Sequence, residues 1–371
     1  MKPTPYHSYL VGNLPKGCKL CVQGKKLVLF ITGICTTGCE FCPVSDTKHQ
    51  KDDIYADEWK IKNEKDVIQE AKLINAKGAG ITGGDPLVKV DRCVKYIKLL
   101  KKEFGNHFHI HLYTPLTLVT KDNLNKLYDA GLDEIRFHPN LESNKLWKRI
   151  ELAQNYDWDV GVEIPVIPKK ETKIKKLITY IKDKVKFLNL NELEISDSSS
   201  QRLVKYKPKD DISYGVKGSE ELAFKLLKFC EKTKLNTHYC TTTLKDKVQL
   251  GNRLKRRAKN IAQPYDIVKP DGTLVRGAIY LEELKPEFSY RKKLAKLTKK
   301  QRQEYMKELE KLKKDIQKQY RIRNNLIKID EQKLRILTST KKIKKIKNYT
   351  RAIVREYPTH DQMEVEVEFL R

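Results

Sequence analysis

The stretch Lys26–Pro43 reads KLVLFITGICTTGCEFCP, and the reading of the whole chain works outward from it. Val28, Leu29, Phe30, Ile31 and Thr32 form an apolar run rich in β-branched and aromatic side chains, bounded by glycines, which predicts a buried strand. The strand runs into a loop carrying Cys35, Cys39 and Cys42, spaced C-x3-C-x2-C. Three thiolates so close together suit a soft metal centre, and iron–sulfur clusters are held by such thiolates. Three protein ligands leave one iron open to a small molecule.

Other uses of these cysteines fit less well. Eight cysteines in 371 residues is not disulfide-dense, and the N-terminus MKPTPYHSYLVG lacks the apolar core of a signal peptide. A structural zinc site usually pairs two separated knuckles, whereas here three cysteines share one loop. Hydrophobic residues make up 39% of the chain, enough for a core, yet no run of 18 apolar residues suggests a transmembrane helix. Free thiols point to a reducing, cytoplasmic setting with no membrane partner.

Beyond the cysteine loop, helix-period and strand-period segments alternate. Strands are expected at Ala79–Thr82, His107–Tyr113, Glu134–His138, Val160–Val166 and Phe187–Ile195. Helices are expected near 63–76, 89–103, 121–129, 143–155, 170–184 and 217–232. Six β-then-α units imply a parallel sheet with right-handed crossovers, short of a full eight-stranded barrel. The expected fold class is therefore α/β, a partial (β/α)6 TIM-type barrel followed by a basic α/β appendage. The domains read as an N-terminal segment over 1–25, the barrel over 26–240 and the basic region over 241–371.

In such a barrel, chemistry gathers at the C-terminal ends of the strands. The candidates there are Thr82, Gly83, Gly84 and Asp85 after the second strand, His111 and Tyr113 on the third, and His138 on the fourth. Glu163 lies on the fifth, and Asn191, Glu192 and Glu194 on the sixth. Polar residues inside a parallel strand are unusual, because both faces are ordinarily apolar.

The cysteine spacing, the preceding strand and the aromatic Phe41 resemble the radical SAM superfamily. In that superfamily the three cysteines hold a [4Fe–4S] cluster whose fourth iron is chelated by S-adenosylmethionine. The GGDP turn at residues 83–86 is similar to the superfamily's GGE motif, with Asp85 in place of the usual glutamate. With KGCKLC, LNLNELE and HYC, the set looks like the archaeal-type radical SAM proteins related to pyruvate formate-lyase activating enzyme. The resemblance implies reductive cleavage of S-adenosylmethionine to a 5′-deoxyadenosyl radical, fed by a donor such as a ferredoxin or flavodoxin. It assigns Cys35, Cys39 and Cys42 to catalysis and the rim residues, with Phe41, to cofactor or substrate binding.

Two further expectations concern the flanks. Cys18 and Cys21, with His238 and Cys240, make a candidate Cys3His set for zinc or an auxiliary iron–sulfur cluster. The formal charge of +28 is uneven, with 30 Lys/Arg against 11 Asp/Glu over residues 251–350. Concentrated positive charge favours a polyanion partner, so RNA, and tRNA in particular, is the expected substrate. Arg253, Lys255, Arg256, Arg257 and Lys259, on one expected helix, are the proposed RNA contacts. The alternatives are an activase acting on a partner protein and a non-catalytic iron–sulfur RNA-binding protein. A strongly charged helix is expected over 297–321, a hairpin about Lys269–Gly272, and strands over 326–337 and 351–371.

Overall fold

The computed structural model describes residues 1–210, 214–287 and 289–371. The chain divides into two units, Met1–Arg253 and Leu254–Arg371.

The first unit runs β1 (Tyr9–Val11), α1 (Lys16–Val22), β2 (Lys26–Phe30), α2 (Glu64–Leu73), β3 (Gly78–Thr82), α3 (Val90–Phe104) and β4 (His109–Pro115). It continues with α4 (Lys121–Asp129), β5 (Glu134–His138), β6 (Asp159–Val166), α5 (Glu171–Ile181), β7 (Phe187–Glu192), α6 (Ser219–Thr233) and β8 (Asn236–Cys240). β2 to β8 lie side by side in chain order, all parallel. This is the expected partial barrel, with one parallel strand, β8, beyond the six expected. β1 closes that edge by pairing antiparallel with β8. The outer faces of the strands and the helices bury a continuous apolar core that includes Leu29, Ile81, Leu112, Ile135, Val162 and Leu188. Helix starts follow local chemistry: Asn63 and Asp66 form a capping box on α2, and Thr120 caps α4. The helix expected near 143–155 is reduced to Arg149–Leu152 and one 3-10 turn, and no side chain caps its start.

Residues 1–25, read from the sequence as an N-terminal segment, supply a plug. α1 packs against β2, β3 and β4 on the sheet's inner face. The Gly17 N–H donates to Glu134 Oε2 at 3.2 Å. A Cβ at Gly17 would stand 2.5 Å from Arg136 Nη2, so only glycine lets the helix come this close.

In the second unit, the hairpin forms as expected: Gly272 takes a positive φ of 88° and Ile267–Val268 pairs with β9 (Leu274–Tyr280). A long helix, α7 (Lys299–Tyr320), opens with a Thr298–Gln301 capping box. The expected strand over 326–337 is a hairpin, β10 (Ile327–Asp330) and β11 (Arg335–Thr338), because Leu334 turns the chain at φ 47°. Residues 351–371 likewise split into β12 (Thr350–Glu356) and β13 (Glu364–Phe369). The antiparallel order is β10-β11-β9-β12-β13. Leu309 and Ile316 of α7 are fully buried and join the core of this sheet, which accounts for the apolar stripe of an otherwise charged helix.

Candidate active site

The cysteine loop is a closed excursion. At its neck the Gly33 N–H donates to the Lys51 carbonyl at 2.7 Å, and the Gln50 N–H donates to the Gly33 carbonyl at 3.0 Å. Below the neck, Asp52 accepts from Thr32 Oγ1 at 2.9 Å and from Arg92 Nη1 at 2.7 Å. Arg92 also donates to the Ile31 carbonyl at 2.8 Å, so the end of β2 is anchored by charge as well as by the sheet. The hydrogen bonds from Arg92, Lys89 and Thr32 outweigh burial and hold Asp52 far below the usual carboxylate range.

Gly83 and Gly84 hug this same loop. The Gly84 N–H donates to the Thr32 carbonyl at 2.8 Å, and the Asp85 N–H to the Ile34 carbonyl at 2.9 Å. A Cβ at Gly84 would lie 2.4 Å from the Ile34 carbonyl oxygen, and one at Gly83 would lie 2.3 Å from that of Thr32. The glycines therefore bring the turn against the cysteine loop while Thr82, Gly83 and Gly84 still face the cavity.

That cavity, about 760 Å3, is lined by Cys35, Cys39, Cys42, Phe41, the Thr82–Gly84 turn, Tyr113, His138, Glu163, Asn191, Glu192 and Glu194. Most of the expected rim residues thus meet in one place. Phe41 leans on the His138 ring at 5.5 Å. His138 Nδ1 bonds the Glu163 carbonyl oxygen at 3.0 Å, and burial pushes the imidazole toward its neutral form. Glu192 accepts from the Thr242 N–H at 2.8 Å and its hydroxyl at 3.0 Å, and Glu194 pairs with Lys245.

The cavity floor is Arg136. Its Nε donates to Glu134, its Nη1 to Glu163 Oε2 at 2.9 Å and to the Tyr113 hydroxyl at 3.0 Å. Burial opposes ionisation of Glu163, yet Arg136 and the amides of Asn189 and Asn191 hold its carboxyl below the ordinary range. Arg136 borders the cavity together with Lys48, His49, Gln50, Arg202 and Lys245. Gln50 Nε2 donates to the Cys35 carbonyl at 3.1 Å and Arg202 Nη2 to that of Cys42 at 3.2 Å, so both steady the loop. No motif marks them.

Several expectations are corrected. Asp85 points away from the cavity: its Oδ1 accepts from Thr114 at 2.8 Å and from the Leu87 N–H at 3.0 Å, capping the turn Pro86–Lys89. His111 is buried below the floor, where a Cβ on Gly80 would meet its Nε2 at 2.6 Å. Cys18, Cys21, His238 and Cys240 do not fit zinc. Cys18 Sγ accepts from Asn189 Nδ2 at 3.3 Å and Arg136 Nη2 at 3.5 Å, and a guanidinium there repels a dication. Burial, against Arg136, pushes the Cys18 thiol up to about 12. His238 Nε2 is engaged by Ser8 Oγ at 3.1 Å. Arg253 pairs with buried Asp57 at 3.2 Å, and Arg257 is buried, donating to the Pro358 carbonyl. Two of the five expected RNA contacts are thus spent on the protein's own fold. Lys255 and Arg256 are half-buried and only Lys259 is fully exposed.

The loop cysteines do fit a cluster. All three line the cavity, Cys35 Sγ and Cys39 Sγ share the Thr37 hydroxyl at 3.1 and 3.9 Å, and a Cβ at Gly38 would meet nothing. Among the described residues no group of three or more His, Cys, Asp or Glu is placed to hold a single metal ion, whereas a cluster takes each thiolate on a different iron. Burial pushes the Cys39 thiol up, with Cys35 and Cys42 adding to it against the Thr37 hydroxyl.

A profile of the radical SAM superfamily matches residues 29–160. A protein of Methanocaldococcus jannaschii, bearing the provisional name glycyl-radical enzyme activating enzyme, is 48% identical over 281 residues, which is 73% of this chain and 74% of that one. The chain belongs to the radical SAM superfamily. Its cofactors are accordingly a [4Fe–4S] cluster and S-adenosylmethionine. Among solved structures, methylornithine synthase (PylB) is 14% identical, covering 60% of this chain and 71% of that one at a TM-score of 0.40. Coproporphyrinogen III oxidase (HemN) from Escherichia coli is 12% identical, covering 60% and 57% at 0.36. No helix among the described residues is long and apolar enough to cross a membrane.

Proposed function

We propose that this radical SAM protein is an activating enzyme that installs a radical on a glycine of a partner protein. The likeness that carries the reading is the 48% identity, over three-quarters of both chains, to the protein provisionally named as such an activator. When bound, the cluster and S-adenosylmethionine would supply, with one electron from a ferredoxin- or flavodoxin-type donor, the abstraction of a hydrogen atom from the glycine Cα. Cys35, Cys39 and Cys42 would hold the cluster, and the Thr82–Gly84 turn and ionised Glu163 would border the cofactor. All eight cysteines are free, which suits a reducing cytoplasm. RNA as the substrate has less support, because Arg253 and Arg257 are committed to internal contacts.

The test is deuterium transfer. The reconstituted protein is supplied with reductant, S-adenosylmethionine and an anaerobic proteome grown on dideuterated glycine. Deuterium in 5′-deoxyadenosine together with a glycine-centred radical signal is the expected result. Turnover that requires added tRNA, with no deuterium transferred, would overturn the reading.

A further inference from the structure

The positive charge of the second unit finds its outlet away from the helix first suspected. Residues 316–329 contain Lys318, Arg321, Arg323 and Lys328 and no acid, and residues 339–350 contain Lys341, Lys342, Lys344, Lys345 and Lys347 and no acid. The fold joins the two segments, since the Tyr320 hydroxyl accepts from the Lys347 N–H at 3.0 Å. Ile343 and Ile346 are fully buried in the core with Ile316, and this turns the interleaved lysines outward. Lys318, Arg321, Arg323, Lys341, Lys344, Lys345 and Lys347 are all exposed. None of these seven takes part in a salt bridge among the described residues. Five of the unit's acids, Asp266, Asp271, Asp330, Glu356 and Glu364, are engaged with Arg276, Arg355, Arg335, Lys333 and Arg291 instead.

We propose that this corner, where the end of α7 meets the 341–347 lysine run, is a surface that binds single-stranded nucleic acid through its phosphates. A solvated cationic face ordinarily carries interspersed acids; both segments lack them, and Asp315, beside Asn348 and Tyr349, borders the corner on one side. A nucleic-acid backbone carries a charge on every nucleotide, a regularity that successive lysines match and a folded acidic protein rarely does. Protein interfaces also need apolar or aromatic anchors at their centre, and here the isoleucines point inward while half-buried Tyr320 and Tyr349 flank the run. The surface carries no base-reading geometry, so binding is independent of sequence. It is a second site, distinct from the cavity, and stands or falls independently of the activating reaction.

The experiment uses the full chain and fluorescence anisotropy with a labelled uridine oligoribonucleotide across a potassium chloride series. The combined variant Lys344→Gln, Lys345→Gln, Lys347→Gln is expected to bind at least ~10-fold more weakly at moderate salt. Its log–log salt slope falls by about 2, because each single-strand phosphate contact contributes ~0.7. A control of equal charge loss, Lys77→Gln, Lys98→Gln, Lys232→Gln in the first unit, leaves affinity and slope unchanged, and circular dichroism verifies that both variants fold. Formation of 5′-deoxyadenosine stays at the wild-type level in both. Three results would each overturn the proposal: an unchanged lysine variant, an equal loss in the control, or displacement of RNA by polyglutamate or anionic vesicles as readily as by unlabelled RNA.

Discussion

Both units bury the same constellation, and only one makes a site of it. In the first, Arg136 joins Glu134, Glu163 and the Tyr113 hydroxyl. In the second, Arg335 joins Asp330 at 2.9 Å, Glu356 at 2.6 Å and the Tyr280 hydroxyl at 3.3 Å. Both arginines are almost wholly enclosed. The difference lies above them: Arg136, Glu163 and Tyr113 border the cysteine cavity, whereas Arg335 is sealed between strands and loop. A buried ion pair is therefore no mark of chemistry. What marks it is an adjoining cavity that the candidate cluster ligands also line.

The sharpest way to break this contrast is at the cavity itself. Cys35→Ala is expected to abolish 5′-deoxyadenosine formation, by at least ~10^3-fold, with the melting temperature nearly unmoved; retained cleavage would remove the site from this loop. Next, Arg335→Ala and Arg136→Ala should each destabilise their unit by about 3–5 kcal/mol, since each strands buried carboxylates. Only Arg136→Ala should also weaken S-adenosylmethionine binding, read by calorimetry, and equal losses of cofactor affinity would erase the distinction.

A graded version is offered by Asp57, whose carboxyl burial raises to about 6 from 3.8, against the pull of Arg253. A folded value above the unfolded one means that its contribution is full below pH 3.8 and is lost as pH rises through 6. Between pH 4 and 7 the wild type should therefore lose about 3 kcal/mol relative to Asp57→Asn, measured by urea unfolding. Parallel pH curves would show Asp57 ionised throughout by Arg253. The smallest effect expected is that of Gly84→Ala, about 1–3 kcal/mol from overpacking against the Ile34 carbonyl. Its readout is iron retained after gel filtration, which should fall.

Much of this was legible along the chain, because the strand periods and the clustered cysteines are local signals. Glu134–His138 needed no revision, and Cys35, Cys39, Cys42 and the Thr82–Gly84 turn meet at one cavity as their spacing implied. The rest depends on what the chain touches far away in sequence. α1 is rich in polar and small residues, and nothing local reveals that Gly17 sits against Glu134. Asp85 and His111 lie on the right elements yet turn to Thr114 and to the barrel interior, and a one-residue phase decides the direction. The cations at 253–257 looked free because their partners, Asp57 and Pro358, are remote in sequence.

The neck of the cysteine loop has a consequence for upkeep. Its closing bonds, Gly33 to Lys51 and Gln50 to Gly33, are made by backbone groups outside the three cysteines. Loss of a cluster from the thiolates would break neither of these bonds, since none of the three cysteines makes them.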